Sequence, residues 1–265
     1  MGRAKEIVVK VIPAKVANEF VKKHHYSGKV VNNSSLHFGC FLDERLHGVM
    51  SYGSPLDKRK VLPLVQPSLW NEMLELNRMA FDDYLPKNSE SRCIAISIKL
   101  LKKNAPHIKW ILSFSDGTQC GDGTIYRASG FMLTAIKQND RLIQFDDGVI
   151  THGICLTMRG SPFICKKYNP LQLTERQCFL NGLFKYIKGY QLRYIYLIDK
   201  TCKITVPILP FSKIDEMGAG MYKGQRVSMS ERRKQHADEA LPAVRLASSQ
   251  EEGFDSTHPL KINKD

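Results

Sequence analysis

The chain has 265 residues, of which 43% are hydrophobic, and its formal net charge is +13. Residues 218–265 hold eight basic and seven acidic side chains. The positive charge therefore belongs to residues 1–217 and favours a polyanionic partner, with a basic surface kept for solubility as the alternative. No apolar run reaches the about 18 residues of a membrane span. The N-terminus has no signal-peptide pattern, so a cytoplasmic protein is predicted.

The first half of the chain predicts alternating strands and helices. Residues 6–12 are apolar and β-branched and predict a strand that ends at Pro13, and a helix with apolar residues at helical spacing follows. Residues 36–42 and 46–52 predict a hairpin whose turn is formed by residues 43–45. A short helical turn and then a strand over residues 74–81 follow.

The clearest helix begins at Ser89 or Ser91, both candidate N-caps, and stops before Pro106. A strand over 109–114, a short helix that ends at Gly130 and a strand from 132 come next. Later elements are read from composition: strands in "RLIQF" and "ITHGICLTM", a helix in "LTERQCFLNGLFKYIKG" capped by Thr174, and strands in "YQLRYIYLID" and "ITVPILPF".

This order predicts one mixed α/β domain over residues 1–217. Residues 139–190 form an insertion in it, and residues 218–265, rich in glycine, serine and charge, form a flexible tail.

The stretch "SFSDGTQCGDGTIYRASGF", residues 113–131, follows an apolar strand. Its spacing fits neither a calcium-binding EF-hand loop nor a Walker phosphate loop. Ligands of α/β proteins gather at the carboxyl ends of strands, where Ser115 and Asp116 stand. We therefore predict that these two residues line a site, with helix capping as the alternative.

Within that stretch, Tyr126, Gly130 and Phe131 resemble the "YxxxGF" end of the fourth helix in GNAT-fold acyltransferases. The resemblance implies a GNAT-like fold: a splayed, mixed, mostly antiparallel sheet flanked by helices. It implies that Tyr126 is a general acid toward the thiolate that leaves acetyl-CoA. It also implies that the helix after the central strand binds the donor's pyrophosphate.

That donor-binding position is held here by "PKNSESR", with Ser89 and Ser91 where the family has glycines. Serine is small and its hydroxyl can donate to phosphate. The predicted cofactor-binding residues are Lys87, Asn88, Ser89, Ser91 and Arg92. Ordinary helix capping is the alternative.

Five blocks in order are similar to the phage Mom family: "HHYSGKVVNNSSLHFG", "ELNRMAFDD", "KNSESR", "KWILSFSDGTQCGDGTIYRASGF" and "YQLRYIYLIDK". The resemblance covers residues 5–215. It implies a GNAT-like transferase that adds a carbamoylmethyl group to adenine N6 in phage DNA and so protects the DNA from host restriction. It also implies double-stranded DNA as the partner and the cytoplasm of the bacterial host as the location.

The same resemblance suggests where the acceptor enters. Ser115 and Asp116, with Asp122 and Thr124, would line the gap between the two central strands. His24, His25 and Tyr26 lie on an acceptor-side loop and would supply a base, a stacking face or a metal ligand. The alternative is that a histidine caps the helix end and Tyr26 belongs to the core.

DNA contacts are predicted at two further places. Asn33 and Ser34 are suited to hydrogen-bond a base edge. Modification of N6 in a duplex calls for a flipped-out base, for which Tyr26 and Tyr126 are candidate stacking residues. Phosphate contacts are predicted on the insertion, at Arg159, Lys166 and Lys167, with a solvated basic surface as the alternative.

The donor stays open between acetyl-CoA and a glycine-derived or aminoacylated compound. Metal-binding motifs are absent from the sequence, but scattered histidines leave a metal ion possible: His24, His25, His37, His47 and His152. Two other functions are consistent with this sequence. One is a conventional GNAT N-acetyltransferase acting on a protein or small-molecule amine, and the other is a DNA-binding module on an inactive scaffold.

Overall fold

Strands hold more of the described residues than helices do in this computed structural model, which describes residues 3–119, 121–222, 224–226 and 231. The strands are β1 Val8–Val11, β2 Ser34–Leu42, β3 Arg45–Gly53, β4 Val65–Gln66, β5 Met73–Phe81, β6 Trp110–Asp116, β7 Met132–Gln144, β8 Ile150–His152, β9 Lys185–Leu197, β10 Lys203–Ile204, β11 Met221–Tyr222 and β12 Gln225–Arg226. Eight of them form one sheet in the order β1-β2-β3-β5-β6-β9-β7-β8. Neighbouring strands in that sheet run antiparallel except β5 and β6.

The parallel pair β5–β6 separates part-way along its length. Its register runs from Met73 opposite Trp110 to Leu76 opposite Ser113 and then stops, although both strands continue. At the point of separation the Ser113 hydroxyl donates to the Leu76 carbonyl, at 2.9 Å. The predicted α/β class and the splayed, mostly antiparallel sheet are thus confirmed.

A β-bulge in β5 lies at this same point. Ser51 pairs with Arg78 and Tyr52 with Leu76, so Asn77 is the extra residue. A bulge bends its strand and changes where the neighbouring side chains point. The bulge therefore changes the direction of the Asn77 and Arg78 side chains at the point where β5 and β6 separate.

The helices lie between these strands in sequence. They are α1 Ala14–His24, α2 Lys58–Val61, α3 Ser89–Asn104, α4 Thr124–Ala128, α5 Pro162–Tyr168, α6 Glu175–Leu180 and α7 Ser212–Glu216. The long helix α3 buries Cys93, Ile94, Ile98 and Leu101 in the largest core cluster, as its helical spacing predicts. Gly130 follows α4 with φ of +80°, the left-handed conformation predicted for a glycine after a helix.

Successive side chains of β6 alternate between the two faces of the sheet, and this determines which of them point toward the gap between β5 and β6. Trp110 and Leu112 pack in one core cluster and Ile111 in the other. Because successive side chains of a strand point to opposite faces, Asp116 continues the first face and Ser115 the second.

Four local predictions were wrong. Of the strand predicted in "ITHGICLTM", only Ile150–His152 forms a strand, β8, and Gly153–Leu156 forms a 3-10 helix. The N-cap of α3 is Asn88, in the left-handed region with φ of 68°, and not Ser89 or Ser91. The helix capped by Thr174 ends at Leu180, because "KYIKG" belongs to β9 and pairs with β7. Of "ITVPILPF", only its first residue, Ile204, belongs to a strand, the two-residue β10.

The predicted insertion and tail are described in part. Strands β7 and β9 continue into the predicted insertion from both ends, so residues 145–184 are what lies outside this strand pair. The chain divides into two units, Met1–Met229 and Ser230–Asp265. Of the predicted tail, residues 218–222 and 224–226 are described, and the rest lies outside the described residues. No helix in the described part has the length and apolar composition needed to cross a bilayer.

Candidate active site

A cavity of about 320 Å³ opens where β5 and β6 separate. Its walls come from the loop after α1, the segment after β3, the bulged part of β5 and the carboxyl end of β6, with β7 and β9 closing one side. The lining residues include Tyr26, Val31, Asn33, Leu56, Glu75, Asn77, Arg78, Phe114, Asp116, Asn139 and Tyr190. This is the edge of the sheet at which the sequence predicted the site.

The structure brings two predicted residues together from distant parts of the chain. The Tyr26 hydroxyl, on the loop after α1, donates to Asp116 Oδ2 at 3.3 Å. The other carboxylate oxygen of Asp116 accepts from the backbone N–H groups of Thr118 (2.9 Å) and Gln119 (3.2 Å). These bonds orient the carboxylate, because one oxygen is held by the loop while the other faces the phenol at the cavity.

Of the two predicted histidines, His25 lies beside Tyr26, with ring centroids 4.3 Å apart, but it is not itself among the residues that line the cavity. His24 stacks on Phe20, with ring centroids 4.3 Å apart, and is not among the residues that line the cavity. His25 Nδ1 accepts from the Ser27 N–H at 3.1 Å. Burial, assisted by the charge of Arg78, lowers the pKa of His25 to about 4. His25 is therefore neutral at physiological pH, which argues against its capping α1 as a cation.

Glu75 is the carboxylate that sequence reasoning missed. It lies on β5 and lines the cavity. Burial raises its pKa to about 7, although the positive charge of Arg78 opposes this shift. A carboxylate that titrates near neutral pH is suited to accept a proton from a substrate. The available signal was the run Glu75-Leu76-Asn77-Arg78, three polar residues inside an otherwise apolar strand.

Two hydrogen-bond donors beside Glu75 have no protein partner among the described residues. The side-chain Nδ2 of Asn77 and the Nε of Arg78 are both buried without an acceptor, and both residues line the cavity. Burial lowers the pKa of Arg78. Leaving a buried donor unpaired costs about 1–3 kcal/mol, so two at one place indicate that a ligand accepts from them.

The predicted residues Asn33 and Ser34 have different roles in the structure. The Ser34 hydroxyl donates to Asn77 Oδ1 at 2.8 Å and so orients that amide. Asn33 lines the cavity, and its side-chain amide donates to the Ser54 carbonyl. The close approach of the Asn33 backbone to the end of β3 requires a glycine at position 53, because a Cβ there would lie 1.9 Å from the Asn33 carbonyl oxygen.

Tyr126 and Ser115 lie behind the cavity wall. Tyr126 is buried, with its ring stacked on Tyr194 (centroids 5.2 Å apart) and edge-on to Phe131 (5.5 Å). Its phenol is within electrostatic reach of Arg78, since an ionised Tyr126 would raise the pKa of that guanidinium. Ser115 is buried on the opposite face of β6 from Asp116. Neither is among the lining residues, and their catalytic roles stay predictions.

The remaining predicted DNA contacts lie outside the cavity. Asp122 is buried, and its carboxylate accepts from the Thr124 N–H at 3.1 Å. Arg159 and Lys166 are exposed on the insertion, and Lys167 forms an ion pair with Asp147 at 3.0 Å. DNA contacts at these residues stay predictions.

At the start of α3, the predicted phosphate site, the serine hydroxyls that were expected to bind phosphate already have hydrogen-bond partners. The Ser89 hydroxyl donates to the Pro86 carbonyl and the Ser91 hydroxyl to the Asn88 carbonyl, the latter at 3.3 Å. Arg92 Nη2 donates to the Lys5 carbonyl at 3.2 Å, while Arg92 Nε is buried without a partner among the described residues. An anion at this helix end would therefore be met by backbone N–H groups, with Lys87 and Asn88 exposed beside it.

Ser91→Ala should change the adenine modification predicted from the sequence by less than about twofold, because the Ser91 hydroxyl already donates to a backbone carbonyl. Mass spectrometry of nucleosides from DNA co-expressed with the variant measures this. A drop of tenfold or more would show that the Ser91 hydroxyl binds the donor after all.

The metal ion that the sequence left possible stays a prediction. Within the described residues, no three histidine, cysteine, aspartate or glutamate side chains converge closely enough to hold one. His37 Nδ1 pairs with Ser51 at 2.8 Å and His47 Nδ1 with Asp82 at 2.8 Å, while Nε2 of His47 is buried without a partner among the described residues.

Comparison with known proteins assigns the family. Residues 6–213 match the Mom protein family. The chain belongs to the Mom protein family. A relative in that family, the methylcarbamoylase Mom of Escherichia phage Mu, is 37% identical over 129 residues, which are 48% of this chain and 53% of the relative. The chain thus spans about half the length of the curated relative that it matches.

Solved structures similar to this Mom family member are acetyltransferases. The ribosomal-protein-S18-alanine N-acetyltransferase of Escherichia coli aligns with a TM-score of 0.41 and 9% identity, over 73% of this chain and 94% of its own. A GNAT family acetyltransferase of Elizabethkingia anophelis with acetyl-CoA bound aligns with a TM-score of 0.38 and 14% identity, over 71% and 96% of the two chains.

Proposed function

We propose that this Mom family protein is a DNA-modifying transferase that adds a carbamoylmethyl group to adenine N6 in phage DNA. The modified DNA would resist host restriction. The observation that carries the proposal is Glu75, a largely buried carboxylate with a pKa of about 7, beside the unpartnered donors of Asn77 and Arg78. One cavity thus holds a proton acceptor and donors suited to a developing negative charge.

In the proposed reaction the amino nitrogen N6 attacks the methylene carbon of a donor X–CH2–C(O)NH2, in which X is the leaving group. The new C–N bond forms while the bond to the leaving group breaks, and the leaving group keeps the electron pair. Glu75 takes the proton that N6 loses. Asn77 and Arg78 donate hydrogen bonds to the oxygen or leaving group on which negative charge develops.

The acceptor side of the cavity fits a nucleobase. Tyr26 is 57% exposed and offers a ring face at the rim, and bases stack on such aromatic side chains. Asn33 and Asn139 supply amide groups at the wall, and amides pair well with the edge of adenine. The basic surface of residues 1–217 supports double-stranded DNA as the partner.

We place the anionic part of the donor at the start of α3, where backbone N–H groups and Lys87 favour negative charge. Acetyl-CoA and an aminoacylated nucleotide both carry such a part, but acetyl-CoA contains no amide nitrogen and as the only donor would yield N6-acetyladenine. Modification in extracts freed of small molecules and then supplied with one donor at a time distinguishes them.

The function is tested by nucleoside mass spectrometry of plasmid DNA from cells that express the protein. We expect carbamoylmethyl-adenine with the native chain and at least about tenfold less with Asp116→Ala, because the loop loses the carboxylate that orients Tyr26. Glu216→Ala, which removes a surface carboxylate paired with Lys213, serves as the matched control. DNA with only unmodified adenine from the native chain would overturn the proposal and favour an N-acetyltransferase acting on another amine.

A further inference from the structure

A leucine stands exposed at the rim of the candidate active site. Leu56 follows β3 and lines the cavity, yet its side chain is 92% exposed. Single exposed leucines are ordinary on protein surfaces. Leu56 differs because it lies between a cavity proposed to take a base and a run of positive charge.

The positive run begins two residues later, in α2. Asp57 caps this helix by accepting from the Lys60 N–H at 3.4 Å, which fixes α2 directly after Leu56. Lys60 is paired with Asp57 at 3.3 Å. Lys58 lies over the ring of Trp70, 3.6 Å from its centroid. Arg59 is exposed and makes no hydrogen bond or ion pair with any described residue.

The spacing suits a nucleic-acid backbone. Three residues of chain place the Cα atoms of Leu56 and Arg59 at most about 11 Å apart. A guanidinium this near the cavity rim can reach a phosphate close to the target nucleotide, and arginine binds phosphate through paired hydrogen bonds. An apolar tip followed by phosphate-binding cations is the chemistry of a side chain that enters a base stack.

We infer that Leu56 inserts into the DNA duplex and fills the space vacated by the adenine that enters the cavity, while Arg59 and Lys58 hold the adjacent phosphates. This inference rests on the proposed function. Extruding a base costs unstacking and unpairing energy, and an apolar side chain in the vacated space recovers part of it. The partner of this surface is therefore double-stranded DNA.

The test uses a duplex with 2-aminopurine in place of one adenine that the co-expression experiment has shown to be modified. Its fluorescence rises when the base leaves the stack, and no donor is needed. We expect a clear rise with the native chain and a rise about tenfold smaller with Leu56→Ala, since the variant loses the burial of a leucine side chain between bases. Modification of plasmid DNA in cells should fall in parallel.

Leu171→Ala is the matched control, because Leu171 is also exposed, at 79%, and is not among the residues that line the cavity. It should behave as the native chain does. A duplex in which 2-aminopurine faces an abasic site should restore the response of Leu56→Ala, because an unpaired base is easier to extrude. Arg59→Ala should weaken binding of duplexes of any sequence and reduce its salt dependence.

The outcomes separate the two ideas. If the native chain modifies DNA but Leu56→Ala raises the fluorescence of the matched duplex as much as the native chain, the wedge is refuted and the function stands. An equal loss on the matched and abasic duplexes would also refute the wedge, since Leu56 would then contact the base itself. If the native chain leaves adenine unmodified, the proposed function fails first.

Discussion

Glu75→Gln should reduce DNA modification by about 10²- to 10⁴-fold, the contribution typical of a positioned general base. The glutamine keeps the shape of the side chain and cannot accept the N6 proton. The level of carbamoylmethyl-adenine in co-expressed DNA measures the loss. Modification at the native level would remove Glu75 from the mechanism.

The same substitution should stabilise the fold above neutral pH. Burial raises the pKa of Glu75 from 4.5 to about 7, so the folded state favours the protonated form. The contribution of Glu75 to stability is then fully present below pH 4.5 and is lost as the pH rises through about 7. Glu75→Gln should therefore gain up to about 3 kcal/mol in the free energy of unfolding at pH 8.5 and little at pH 4.5. Urea denaturation at the two pH values measures the difference.

Glu72→Gln is a control in which the effect on stability should have the opposite pH dependence. Glu72 pairs with Lys109 at 2.8 Å, and this contact lowers the pKa of the Glu72 carboxyl. Its stabilising contribution is present at neutral pH and is lost as the pH falls, so Glu72→Gln should weaken the fold slightly at pH 7 and leave modification unchanged. Equal loss of stability by Glu75→Gln at both pH values would contradict the buried, raised carboxyl.

Arg78→Met should reduce modification by about 10²- to 10³-fold, as the loss of a donor to developing charge does in other enzymes. Arg78 has a buried Nε without an acceptor, and burial lowers its pKa. Methionine fills similar space without a charge, so the fold should be as stable as the native one or more so. A variant that is inactive because it unfolds would contradict this reading, and thermal denaturation separates the two cases.

The effect of Arg78→Met can also be measured without assaying DNA modification. The positive charge of Arg78 lowers the pKa of both Glu75 and His25. In the variant the Glu75 carboxyl should titrate above pH 7 and His25 above pH 4, which NMR titration measures directly. Arg193→Met is the matched control: Arg193 is partly buried with a lowered pKa, but its Nε donates to Thr134 Oγ1 at 3.0 Å. That variant should leave both titrations and the modification unchanged.

Periodicity and turn chemistry in the sequence were enough to predict the strands around the site, the helix α3 and the β2–β3 hairpin. These are local properties, because side-chain spacing and turn residues express themselves within a few positions. The family was also legible in the sequence, since its blocks occur in order over residues 6–213. Asp116 could be named because it stands two residues after the predicted strand 109–114, and Tyr26 because the family resemblance places it on the acceptor-side loop.

The tertiary structure determined the chemical properties of the cavity that Tyr26 and Asp116 line. The pKa of Glu75 depends on burial by neighbouring strands and on the charge of Arg78, neither of which is written in the order of residues. The bulge at Asn77 is a property of the pairing between β3 and β5. Ser89 and Ser91 show the converse: their hydroxyls suit a phosphate, and in the structure they donate to backbone carbonyls one turn away. Residue type thus determined what each side chain can do, and packing determined which of them are left free to do it.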